Sequence, residues 1–255
     1  MDRRMEHVAV RAVRDAGSLL RERFADGTLS AERSAHDVKT DADRAAEDRI
    51  LDVVRPAFPD HAIYAEESGT VEAEGPYRWV IDPLDGTNNF VSGLPSFGTA
   101  IAVLDDEGPV LGVVYVPLTD DLYVARRGGG VTHDGRPVAA ESAVPTTHAT
   151  VGYVIGRGVK HDEREAAAAR LFDALDGRTK RCLASWSPVV HWGLLARGRL
   201  EAMVAFHADE EERYVGELLA REAGAEVRRE GPLFVAANGV ETSESLFAAA
   251  TEALE

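Results

Sequence analysis

The strongest constraint on this chain is the place where its hydrophobic period changes. Val8, Ala12, Ala16, Leu19, Leu20 and Phe24 recur at three- and four-residue steps, which predicts an amphipathic helix over 3–25. A polar stretch runs to Asp37. A second helix is expected from Thr40 to about Val54, with Ala45, Ile50, Leu51 and Val54 as its stripe and Pro56 and Pro59 ending it. Short strand-like runs follow at 62–65, 79–81, 98–104, 109–116 and 121–125, divided by turn residues. From 150 onward strands and helices alternate: strands at 150–155, 181–184, 200–206 and 233–236, helices at 162–175, 187–197, 209–223 and 242–253. Two helices, a meander and then β/α alternation bury their apolar faces only by stacking in layers, so the expected fold class is mixed α/β (α+β). No repeat or linker divides the chain. One unit over 1–255 is expected, with sub-regions of about 1–140 and 141–255.

Charge narrows the partners. Lys and Arg number 28 against 44 Asp and Glu, a formal net charge of −16, and the lysines are Lys39, Lys160 and Lys180 alone. A surface so acidic repels nucleic acid and anionic membranes, so neither is expected as a partner. Acid surplus with scarce lysine also resembles proteins of salt-loving organisms, where screening relieves self-repulsion. No apolar run approaches the length of a membrane span, and the first residues lead into an amphipathic pattern rather than a secretion signal. With Cys182 as the sole cysteine, a reducing cytoplasm is the expected location.

Chemistry concentrates at Trp79-Val80-Ile81-Asp82-Pro83-Leu84-Asp85-Gly86-Thr87-Asn88-Asn89-Phe90. An apolar strand runs into two carboxylates, and Pro83 turns the chain at the strand's end so that both can face one point. Such oxygen donors suit a hard cation such as Mg²⁺. The consecutive N–H groups of Gly86-Thr87-Asn88, at a helix start, suit phosphate oxygens. Alone, these residues read equally as a turn. Ile63-Tyr64-Ala65-Glu66-Glu67-Ser68-Gly69 repeats the theme upstream, again with apolar residues running into acids. Strand alternation would send Glu66 and Glu67 to opposite faces, so at most one of them can point at the site. Asp43 lies in Thr40-Asp41-Ala42-Asp43, a capping-box pattern.

Taken together, Asp37-Val38-Lys39-Thr40-Asp41-Ala42-Asp43, Glu66-Glu67-Ser68 and Asp82 to Phe90 resemble the inositol monophosphatase family, in order and spacing across 1–140. The resemblance implies a layered α-β-α-β-α sugar-phosphatase fold. It places Glu66, Asp82, Asp85 and the Leu84 carbonyl at metal-binding positions. Thr87, with Glu66 and Asp43, would orient the attacking water, and Leu84, Asp85, Gly86 and Thr87 would touch the phosphate. Two or three Mg²⁺ ions, lithium inhibition, a small phosphorylated metabolite as ligand and a homodimer are further implications.

The match weakens downstream. Gly216 to Gly224 fits the helix after the family's second signature, which puts Glu211-Glu212 where Trp-Asp is expected. Glu212 is either a second-site metal ligand with one extra methylene or a charge complementing a helix start; Asp209, nearly one turn away, is the weaker substitute. Ser185-Trp186-Ser187-Pro188-Val189-Val190-His191-Trp192 departs from the segment that shapes the sugar pocket in relatives, with bulk at Trp186 and Pro188 expected to reshape or fill it. His191 reads as a packed or surface residue. Gly128-Gly129-Gly130 reads as a hairpin turn, and Cys182 lacks a neighbouring base. The expected function is Mg²⁺-dependent hydrolysis of inositol monophosphate or another sugar phosphate. Fructose-1,6-bisphosphatase activity and a degenerate, ligand-binding relative are the alternatives.

Overall fold

The computed structural model describes residues 3–27, 31–33, 38–184 and 186–255; Asp37 and Ser185 lie outside them. The first half contains α1 (Arg3–Asp26), a short hairpin of β1 (Ala31–Arg33) and β2 (Val38–Thr40), α2 (Asp41–Ala57), β3 (Ala62–Ala65), β4 (Gly69–Val71), β5 (Arg78–Asp85), α3 (Thr87–Val91), β6 (Gly98–Asp105), β7 (Gly108–Val116), β8 (Asp121–Arg126), β9 (Gly130–His133) and β10 (Arg136–Val138). The second half contains β11 (Thr150–Ile155), α4 (Glu165–Asp176), β12 (Arg181–Ala184), α5 (Pro188–Ala196), β13 (Ala202–Phe206), α6 (Glu210–Glu222), β14 (Glu226–Glu230), β15 (Leu233–Ala237) and α7 (Val240–Leu254).

Strands β3 to β10 form an eight-stranded sheet in the order β10-β9-β8-β7-β6-β5-β3-β4. All its pairings are antiparallel except β3 with β5. A five-stranded sheet in the order β12-β11-β13-β15-β14 is parallel at β12-β11-β13 and antiparallel beyond. Side-chain parity sorts the layers. Trp79, Ile81, Ile101 and Val113 face one way and share a core with Val13 and Leu20 of α1 and Ile50 and Val54 of α2. Val80, Ala102 and Val114 face the other way, onto Val189 and Trp192 of α5 and Val215 and Leu219 of α6. Those helices also meet Met203 and Phe234 of the second sheet. The second sheet's outer face, Val151, Val204 and Val235, packs with Leu171 of α4 and Leu246 of α7. The stacking is therefore α1/α2, sheet, α5/α6, sheet, α4/α7, the expected five layers. Gly216 lets α6 approach α5, since a Cβ there would run into the Trp192 indole.

The differences from expectation are local. Helix α2 continues through Pro56 to Ala57 and closes with Phe58 N–H on the Val54 carbonyl at 3.0 Å, because a proline in a last turn forfeits a single bond. The charged run Glu226–Glu230 is strand β14, held at a sheet edge where alternating apolar residues are not required. Gly128 to Gly130 does turn a hairpin, with Arg126 paired to Gly130.

Candidate active site

Asp82 follows Val80 in the alternation of β5, so it faces the α5/α6 layer, and it is 5% exposed. The register of β5 with β6 slips between Asp82 and Asp85, and this irregularity lets Asp85 also turn inward. Asp85 Oδ2 accepts from Ser187 Oγ at 2.7 Å and from Val189 N–H at 3.1 Å, both at the start of α5. Next comes Gly86, whose φ of 88° is left-handed and whose missing Cβ would sit 2.9 Å from Ser187 Cβ. Thr87 begins α3. Its hydroxyl lies 2.8 Å from Asp43 Oδ1 and 3.0 Å from the Leu84 carbonyl, which can share its one proton. Asp43 keeps its capping role too: its Oδ2 accepts from Thr40 N–H at 2.8 Å and Thr40 Oγ1 at 2.6 Å.

Glu66 and Glu67 lie beyond β3, in a turn, so strand alternation does not govern them. They diverge nonetheless. Glu66 pairs with Arg157, while Glu67 lies 3.9 Å from Arg44, where its charge acts on Asp43. At the start of α6 the expected capping charge and the expected ligand converge on one residue. Glu212 accepts from Asp209 N–H at 3.3 Å within a capping box, yet it is also close enough to feel Asp85. Asp209 accepts from the backbone N–H of Arg157 at 2.8 Å.

Arg157 has no expected role in the sequence, and Glu211 stands there only where the tryptophan of Trp-Asp is expected. Glu211 is buried, 4% exposed, and accepts from Tyr64 Oη at 2.8 Å and Arg157 Nη2 at 2.9 Å. An acid three residues after Ala208 reads as helix-start charge, and Arg157 falls in a loop after β11, so neither carried a signal. Trp186 is exposed with Lys160 Nζ 5.1 Å over its ring, so its bulk points outward; Pro188 is buried as the first residue of α5. His191 is packed, and burial, helped by Arg181, pulls its pKa down to about 4.

The electrostatics set these carboxylates apart from the rest of the acidic surface. Burial, reinforced by the charges of Glu66, Asp85 and Glu211, holds the Asp82 carboxyl well above the usual range. Burial likewise pushes Asp85 to about 7 against the bonds from Ser187 and Val189, and raises Glu212 with Asp85 and Asp209 adding to it. Asp82 Oδ1 is buried without a hydrogen-bond donor among the described residues. Buried carboxylates in mutual repulsion, with an oxygen left unmatched, fit a hard divalent cation. A second group, Asp121, His133 and Asp134, has donor atoms within 4.8 Å of one another, but it lies across β8 and the β9–β10 turn, and Arg197 stands 3.3 Å from Asp121.

Comparison with known proteins agrees with this architecture. A solved inositol monophosphatase from Anabaena (Nostoc) sp. PCC 7120 superposes with a TM-score of 0.80 at 26% identity, covering 96% of this chain and 94% of that one. Nus factor SuhB of Escherichia coli (strain K12) is 32% identical over 225 residues, 86% of this chain and 83% of that protein. Nus factor SuhB of Haemophilus influenzae is 40% identical over 129 residues, 49% of this chain and 48% of that protein. That name is of a factor, not a hydrolase, and it corrects one expectation: the exclusion of nucleic-acid partners does not stand. Net charge sums over a whole surface and leaves any local patch or partner-borne contact unconstrained. The model described as the inositol monophosphatase family matches residues 1–253, and the chain belongs to that family.

Proposed function

We propose that this chain hydrolyses a small phosphate monoester, an inositol or sugar phosphate, with water as the nucleophile. The observation that carries the reading is the buried, donor-less Asp82 Oδ1 among Glu66, Asp85 and Glu212, beside the Thr87–Asp43 pair. Glu66, Asp82, Asp85 and the Leu84 carbonyl would hold Mg²⁺, with Glu212 at a second position. When bound, two or three such ions would acidify water and neutralise charge on the phosphate and the leaving oxygen. With its own proton donated to Asp43 Oδ1, which fixes its rotamer, the Thr87 hydroxyl can accept a hydrogen bond from the attacking water and orient it. Gly86 and Thr87 present backbone N–H groups to the phosphate at the start of α3. Asp85 is kept inward by Ser187 and Val189. Since β5, α5 and α6 all contribute, the catalytic unit is the whole chain. Buried Cys182, its thiol pushed up to about 12 by desolvation, takes no part and is compatible with a reducing cytoplasm.

The test is phosphate release from inositol, hexose, fructose-bisphosphate and nucleotide phosphates, with and without Mg²⁺, at low and high salt, together with lithium inhibition. Absence of Mg²⁺-dependent release by folded protein across that panel would sink the reading. It would favour a non-catalytic ligand-binding role, which the ion pair between Arg157 and Glu66 and the name of the relatives also support.

A further inference from the structure

Arg157 sets a positive charge among the carboxylates from which the metal site is read. It follows β11, where Gly156 N–H bonds the Phe206 carbonyl at 3.2 Å and leaves no room for a Cβ against the His207 carbonyl. The backbone N–H of Arg157 is bonded to Asp209, so the base of the side chain is fixed. From there its guanidinium spans three acids on two segments, the start of α6 and the turn after β3: Nε to Asp209 Oδ2 at 3.3 Å, Nη2 to Glu211 Oε1 at 2.9 Å, and Nη1 to Glu66 Oε1. Glu66 and Glu211 are mostly buried, with side chains 15% and 4% exposed, whereas Arg157 is 38% exposed and has a path outward.

We infer that Arg157 is a tethered cation that competes with divalent metal for Glu66 and holds the acidic site together while metal is absent. This rests on the metal reading of the site. A guanidinium and a Mg²⁺ ion both draw on the Glu66 carboxylate, and two cations gathered on one carboxylate repel each other, so each weakens the other's hold. The planar fork can satisfy several carboxylates at once, which a lysine ammonium cannot do in the same geometry. Because its backbone stays bonded to Asp209, Arg157 released from Glu66 remains at the site's mouth.

The test is calorimetric titration of the full-length chain with MgCl₂, for wild type, Arg157→Gln and Arg157→Lys, beside melting temperatures in EDTA. Arg157→Gln is expected to bind Mg²⁺ about tenfold more tightly, as the loss of one charge-assisted competitor implies. It should melt lower than wild type in EDTA, and the deficit should close in saturating Mg²⁺. A merely structural arginine would leave the deficit in both conditions. Arg157→Lys, which keeps the charge without the fork, should bind Mg²⁺ a few-fold tighter than wild type and serves if the glutamine variant does not fold without metal. Mg²⁺ affinity at or below wild type in both variants overturns the inference while leaving the metal reading in place. No Mg²⁺ binding by any of the three overturns both.

Discussion

The Thr87 hydroxyl meets Asp43 Oδ1 at 2.8 Å, joining the first residue of α3 to the first turn of α2 across 44 positions of sequence. That bond leaves Asp43 with one oxygen capping a helix and the other steering a hydroxyl. If the hydroxyl orients the nucleophile, Thr87→Ala lowers kcat by about 10²-fold with little change in KM. Thr87→Ser keeps most of the rate. Steady-state kinetics decide: a rise in KM alone makes Thr87 a phosphate-binding residue only.

Asp82→Asn should separate stability from activity. Asp82 is buried beside Glu66, Asp85 and Glu211 and its Oδ1 has no donor, so the neutral amide relieves repulsion in the metal-free protein. Its melting temperature in EDTA should rise while Mg²⁺-dependent turnover falls by 10²-fold or more, roughly the range seen when a charge stabilising the transition state is removed. Turnover within a few-fold of wild type would remove Asp82 from the metal site.

Stability should depend on pH in a direction opposite to that of ordinary carboxylates. Asp85, pushed to about 7, and Asp82 and Glu212, also held well above the usual carboxylate range, keep protons in the folded chain that the unfolded chain has released. Folded protein then binds more protons than unfolded, and stability declines as pH rises from the unfolded pKa to the folded one, levelling off above it. For Asp85 that span runs from about pH 4 to about pH 7, at up to about 1.4 kcal/mol per pH unit, and Asp82 and Glu212 add in the same sense. His61, His191 and His207, whose pKa values are lowered, act in the opposite sense below about pH 6.5, so the decline stands clear of them only from about pH 6.5 upward. Melting curves in EDTA should slope downward from about pH 6.5, and saturating Mg²⁺ should flatten them; a flat EDTA series contradicts the buried-acid description.

Glu212 can be dissected by length and charge. As a second-site ligand it makes Mg²⁺ binding biphasic, with the weaker phase lost in Glu212→Gln and kept or strengthened in Glu212→Asp. As a cap alone, Glu212→Gln would change stability by about 0.3–1 kcal/mol and leave the isotherm untouched. The position of Glu212, half-buried and near enough to Asp85 to feel its charge, favours the first outcome.

Away from the site, Gly216→Ala tests the α5/α6 layer. The new methyl group would meet the buried Trp192 indole, and overpacking of that kind costs about 1–3 kcal/mol. Chemical denaturation should show a lower midpoint with an unchanged m-value.

Much of the fold was legible because its periods are clean. Trp79 and Ile81 against Val80 is a two-residue alternation, and α1 carries a three-to-four step from Val8 to Phe24. What escaped lacked a period: β14 is charged along its length, and β4 is three residues. At the site, Asp82, Asp85 and Thr87 stood out because they share one contiguous stretch with turn-making neighbours. Arg157, 91 positions from its partner Glu66, and Glu211, 147 from Tyr64, are joined only by the stacking of layers. No local pattern in sequence marks such a meeting. Glu212 shows the remaining difficulty: a residue serving as both cap and neighbour of Asp85 satisfies two readings, and spacing alone selects neither.

The α5/α6 layer has a mechanical corollary. Asp82 and Asp85 ride on the eight-stranded sheet, Glu211 and Glu212 on a helix wedged against both sheets, and Arg157 on the loop leaving the five-stranded one. The acids therefore lie along a seam between slabs, and whatever neutralises them works as a rivet. A slip of one slab by an ångström would separate charges that no single slab can reposition. Loading the seam should thus stiffen α5 and α6 together, slowing amide exchange along helices that carry few of the ligands themselves.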